Sequence, residues 1–100
     1  MASIELVVNN EIVGKVDLDN DRILIGRSSK ASIRVADGTV SARHAVVESK
    51  INDETGSTEY YIQDLNSTNG TFVRGKRIRR LQLSDGDVFK VGWNTFKFHG

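Results

Sequence analysis

Cysteine and proline are both absent from this chain of 100 residues. Without thiols, disulfide staples, thiolate nucleophiles and zinc–thiolate centres are excluded. Without proline, no ladder position is denied its backbone N–H, which suits a chain built from hydrogen-bonded strands. Long apolar runs are missing too, and none approaches the roughly 20 residues of a membrane-crossing helix. The opening Met1-Ala2-Ser3-Ile4-Glu5-Leu6 has no basic patch followed by an apolar stretch, so no secretory leader is visible. A cytoplasmic protein without membrane contact is the expectation. An excess of charge is also lacking: 14 basic residues stand against 13 acidic ones, for a net charge of +1. Overall charge therefore points to no nucleic-acid partner.

β-Branched residues are abundant instead. Val, Ile and Thr fill 25 of the 100 positions, whereas Ala and Leu fill 11. Such side chains fit a pleated surface, and helices favour the opposite balance. Short alternating segments recur between turn residues: Ile4–Val8, Ile12–Leu18, Arg22–Ile25, Ile33–Val35, Ala45–Ile51, Glu59–Leu65, Thr71–Val73, Val88–Val91 and Thr95–Phe98. Tyr61 and Leu65 are expected on one face of their strand. Lys76–Leu83 is mixed and resists assignment. Asn9-Asn10 has the chemistry of a two-residue hairpin loop, Asp19-Asn20-Asp21 turns the chain, and Gly92-Trp93-Asn94 closes the last hairpin. About ten or eleven short strands indicate an all-β sandwich or barrel. With no linker, repeat or low-complexity stretch, residues 1–100 read as a single domain.

Two loops hold polar residues that strands do not need. The first carries Gly26-Arg27 and Ser41-Ala42-Arg43-His44-Ala45; the second is Asp64-Leu65-Asn66-Ser67-Thr68-Asn69-Gly70-Thr71. Gly-Arg, then Ser-x-x-His-Ala, then Ser-Thr-Asn-Gly-Thr, in this order in an all-β chain, resemble the forkhead-associated (FHA) domain family. The resemblance covers the whole chain. It implies a β-sandwich of about eleven mostly antiparallel strands, with loops at one end that bind phosphothreonine in an extended peptide. Carried over by position, Arg27, Ser41 and Thr68 would contact the phosphate and Asn69 the peptide main chain. Gly26, His44 and Gly70 would support the loops. Ala42, Trp93 and Asn94 are candidates for reading flanking residues. Ala42 departs from the polar or basic residue many family members carry there, and it adds no side-chain hydrogen bond. The partner would be a phosphothreonine-containing protein, a Ser/Thr kinase or its substrate, with no metal, cofactor or catalysis.

The residue types suit that role on chemical grounds. A phosphothreonine carries about −1.5 to −2 charges near neutral pH, and its oxygens only accept hydrogen bonds. An arginine meets it with a planar fork of donors. Short hydroxyls fit around the remaining oxygens at little entropic cost. An asparagine offers both a donor and an acceptor to a peptide unit.

Three other readings compete. Ser41, His44 and a nearby aspartate would be a hydrolase triad, yet no glycine-flanked nucleophile elbow accompanies them. Arg74, Lys76, Arg77, Arg79 and Arg80 form a basic patch able to hold nucleic-acid phosphates or acidic peptide flanks. Asp85 and Asp87 follow closely, so a solvated strand is the plainer explanation. A family member reduced to a scaffold would not need the intact Arg27, Ser41, Thr68 and Asn69.

Overall fold

The alternating segments form eleven strands in a computed structural model that describes residues 2–19 and 21–100. Met1, in the stretch read for a leader, and Asn20, the middle of the expected 19–21 turn, lie outside the described residues. β1 (Ser3–Val8) and β2 (Glu11–Asp17) make a hairpin. Its tip, Asn9–Asn10, takes φ of 52° and 64°, as expected for asparagines in a two-residue loop. β3 (Arg22–Gly26), β4 (Ile33–Arg34), β5 (Ala45–Ile51) and β6 (Thr58–Asp64) follow. Then come β7 (Thr71–Val73), β8 (Lys76–Ile78), β9 (Arg80–Leu83), β10 (Val88–Val91) and β11 (Asn94–His99).

Six strands form one sheet in the order β2-β1-β11-β10-β7-β8, and five form the other in the order β4-β3-β5-β6-β9. All pairings are antiparallel except β3 with β4. The expectation of a mostly antiparallel sandwich holds. The Lys76–Leu83 stretch resisted assignment for a physical reason. β8 pairs with β7 in the first sheet, while β9 pairs with β6 in the second. The chain changes sheets at Arg79, so no single alternation runs through it.

The sheets enclose an apolar core. Ile4, Ile25, Ala45, Ile62, Phe89, Val91, Phe96 and Phe98 are at most 1% exposed and all belong to it. Phe89 stacks on Phe96 and Tyr60 tilts against Phe98, both with ring centroids 5.3 Å apart. In β6 the core side is held by Tyr60 and Ile62, so Tyr61 lies on the opposite face. β6 ends at Asp64, which leaves Leu65 outside the strand. The final turn is also shorter than expected. Val91 pairs with Asn94, so Gly92–Trp93 alone make the turn and Asn94 begins β11.

Candidate functional site

Four connections meet at one end of the sandwich, those of β3–β4, β4–β5, β6–β7 and β10–β11. Backbone bonds lace the first two together. Arg27 N–H donates to Ser41 O at 3.0 Å and Ser28 N–H to Ala42 O at 3.1 Å. Gly26 lets them approach, because a Cβ there would lie 2.2 Å from the Ala42 carbonyl oxygen.

The β6–β7 loop is built around Asp64. Its carboxylate accepts the Ser67 hydroxyl at 2.5 Å, the Ser67 amide at 3.0 Å and the Thr71 hydroxyl at 2.8 Å. Burial pushes the Asp64 carboxyl upward, but these donors outweigh it and hold it below the ordinary aspartate range. Ser67 Oγ in turn accepts the Gly70 amide at 3.0 Å. Gly70 has φ of 87°, and a Cβ there would sit 2.7 Å from Arg77 Nε. The positive φ is what favours glycine here, since the arginine chain could move aside.

His44 joins the loops from beneath and is fully buried. Its Nδ1 accepts the Ser41 amide at 3.1 Å, and its Nε2–H donates to Gly70 O at 2.8 Å. The neutral tautomer with hydrogen on Nε2 satisfies both bonds. The supporting role expected of His44 fits this position. Both ring nitrogens are engaged, so neither is left to take a proton from the Ser41 hydroxyl. That removes the base a hydrolase triad needs.

Above His44 the donors converge. Ser41 Oγ accepts the Thr68 amide at 3.1 Å, which brings two loops into contact and leaves the serine hydroxyl hydrogen to donate elsewhere. Arg27 Nε donates to Val40 O at 3.0 Å. This steers the guanidinium while its terminal N–H groups stay exposed. No carboxylate lies within ion-pair distance of it among the described residues. Neither Asp37 nor Asp64 is paired with it. Arg27, Ser41 and Thr68 are thus brought to one rim.

Asn69 stands beside them. Its Nδ2 donates to Thr39 O at 2.8 Å, and the residue is exposed. Thr39 and Asp37 form a hub that the sequence did not single out. Asp37 accepts the Thr39 amide at 3.0 Å, the Thr39 hydroxyl at 2.8 Å and Asn94 Nδ2 at 2.9 Å. Those bonds, led by the Thr39 amide, hold the Asp37 carboxyl below its usual range. Trp93 N–H donates to Thr39 Oγ1 at 3.2 Å. Through these two residues the β4–β5, β6–β7 and β10–β11 connections form one unit. Asn94 therefore spends its amide as a brace, giving it a structural use beyond the flanking contact expected of it. Ala42 is exposed on the rim. Trp93 is 82% exposed, and with Asn69, Phe72 and Val88 it lines a largely apolar hollow of about 490 Å³.

The FHA domain family pattern matches residues 23–92. This chain is an FHA domain. Its sequence is 34% identical to the probable serine/threonine-protein kinase fhkA of Dictyostelium discoideum over 95% of the chain. That stretch is 17% of the kinase's length, so the chain corresponds to a small part of that relative. One solved FHA domain, described in a study of phosphothreonine-dependent FHA interactions, superposes on 99% of the chain at a TM-score of 0.82 and 29% identity, covering 95% of that domain. Mycobacterium tuberculosis EmbR, solved with a low-affinity phosphopeptide, matches 98% of the chain at a TM-score of 0.81 and 28% identity, covering 24% of EmbR. In this FHA domain Arg27, Ser41, Thr68 and Asn69 lie together at the loop end.

Proposed function

We propose that residues 1–100 act as one non-catalytic module that binds phosphothreonine in an extended segment of another protein. Arg27 takes two phosphate oxygens with its free terminal N–H groups, Ser41 donates its hydroxyl hydrogen, and Thr68 adds a second hydroxyl. Asn69 Oδ1 accepts a peptide N–H beside the phosphothreonine. The apolar hollow under Trp93 receives a flanking side chain. The observation that carries this reading is the Ser41–Thr68 bond, which sets donors from two distant loops around one place with Arg27 beside it. Preorganised donors need no rearrangement when the anion arrives.

The partner is a Ser/Thr kinase or a protein such a kinase modifies, and the setting is the cytoplasm. The fhkA likeness favours a link to a kinase, and the EmbR likeness favours a phosphopeptide ligand. The chemistry described requires no metal or cofactor. An oriented phosphopeptide library with unphosphorylated controls tests the reading. Enrichment of phosphothreonine peptides over their phosphoserine and unphosphorylated forms is expected. Equal retention of all three would reject it.

A further inference from the structure

The basic stretch 74–80 is not one patch. Arg74 leans toward Asp87, with 3.8 Å between charged atoms, on the side of the Trp93 hollow. Arg77, Arg79 and Arg80 instead line a separate groove of about 950 Å³, with Leu65, Asn66 and Ser67 opposite. None of these three guanidinium groups has a carboxylate within ion-pair distance among the described residues. The one acid in the groove wall is Asp64, whose oxygens are already bonded to Ser67 and Thr71.

Two of the three are also held in place. Arg77 Nη2 donates to Ser67 O at 3.4 Å, and its chain packs over Gly70. The Arg80 guanidinium lies 4.2 Å from the centre of the Tyr61 ring. Neither contact neutralises the charge, and each arginine keeps N–H groups free. Three like charges around one hollow, two of them held in place, repel one another until a counter-charge enters. A carboxylate is served by a single fork; a doubly charged tetrahedral group can engage several. The basic surface is also bounded, because Glu59 lies beyond Arg80, bonded to the Tyr61 hydroxyl at 2.8 Å. It is too short to follow a nucleic-acid backbone.

We propose that this groove is a second anion site that takes a second phosphorylated residue on the same peptide. It rests on the reading of the first site. The groove wall at Ser67 and the rim residue Thr68 are chain neighbours, so one extended ligand can reach both. The pair of sites would favour doubly phosphorylated segments over singly phosphorylated ones by linking two binding events in one chain.

The test is a phosphoserine walk. A phosphothreonine peptide with alanine and glycine flanks is synthesised with a second phosphoserine at each of the five positions on either side. Each peptide is titrated into the wild-type domain and into a double variant, Arg79→Ala with Arg80→Ala. These two residues take no part in the first site. At one or more positions a gain of at least about tenfold is expected. The gain should vanish in the double variant, while affinity for the singly phosphorylated peptide stays the same. Chemical-shift changes at residues 65–67 and 77–80 should accompany the gain. No gain at any position, a gain that survives the double variant, or a duplex DNA that binds the groove more tightly than any peptide would overturn the proposal. Failure of the singly phosphorylated peptide to bind wild type would instead reject the first site. In that case inorganic pyrophosphate shifting residues 77–80, and losing that effect in the double variant, would keep the groove as an anion site alone. An absence of those shifts would reject it as well.

Discussion

The Ser41 hydroxyl accepts the Thr68 amide at 3.1 Å, joining positions 27 residues apart. The same oxygen thus fixes the loop geometry, and its hydrogen is the one the proposed phosphate contact uses. Ser41→Ala should therefore weaken phosphopeptide binding by more than a lone surface hydroxyl would. Loss of a hydrogen bond to a charged group costs about 1.5–3 kcal/mol, or roughly 10- to 150-fold in affinity. The freed Thr68 amide is exposed and can turn to water, so the melting temperature should move little. Calorimetric titration beside a thermal melt checks both.

Gly26 is a close-approach residue, with the Ala42 carbonyl where its Cβ would be. Gly26→Ala is expected to cost about 1–3 kcal/mol of stability, as overpacking does. It should also push the β4–β5 connection away from Arg27. Urea denaturation monitored at Trp93 is a poor probe, because that indole is already exposed; far-UV circular dichroism is the appropriate measurement.

Asp37 holds three connections through Thr39 and Asn94. Asp37→Ala should lower phosphopeptide affinity severalfold although Asp37 touches no phosphate. The loss should be largest for peptides whose flanking residue uses the Trp93 hollow. Titrations with peptides varied only at the flanks separate this from a general loss.

Two pH effects should fall in different windows. The Asp37 and Asp64 carboxyls sit below their ordinary range in the folded state. On acidification the unfolded chain takes up these protons first, so the stability these two groups contribute falls as pH drops below about 4 and toward the folded-state values. The phosphate of the ligand takes up a proton near pH ~6. Binding should thus weaken between pH 7 and 5, above the window in which these two carboxylates act. Unchanged binding across that range would count against recognition of the dianion.

Much of this was legible in the sequence. β5, β7 and β10 have the bounds the alternation gave, because each lies within a single sheet and turns at its ends. Arg27, Ser41, Thr68 and Asn69 stood out as polar residues in loops, outside any strand's needs, and they lie at one end of the fold. The Lys76–Leu83 segment was opaque because its two halves belong to different sheets. Asp37 and Thr39 were missed because an aspartate two residues before a threonine looks like any local turn. Their importance comes from Asn69, Trp93 and Asn94, and no local pattern signals partners that far along the chain. Asn94 is a candidate for a flanking contact from its place beside Trp93; its amide bond to Asp37 is a second use that the sequence does not signal.

Removal of the Arg27 guanidinium tests the phosphate site most directly. A single phosphothreonine peptide, chosen from the library, is titrated into wild type and Arg27→Ala, alongside its unphosphorylated form. Deleting one partner of a hydrogen-bonded charge pair costs about 2–5 kcal/mol, so binding should drop by at least ~30-fold while the fold persists. Near-wild-type affinity in the variant, or equal binding of the unphosphorylated peptide by wild type, would contradict the convergence of Arg27, Ser41 and Thr68 on one phosphate.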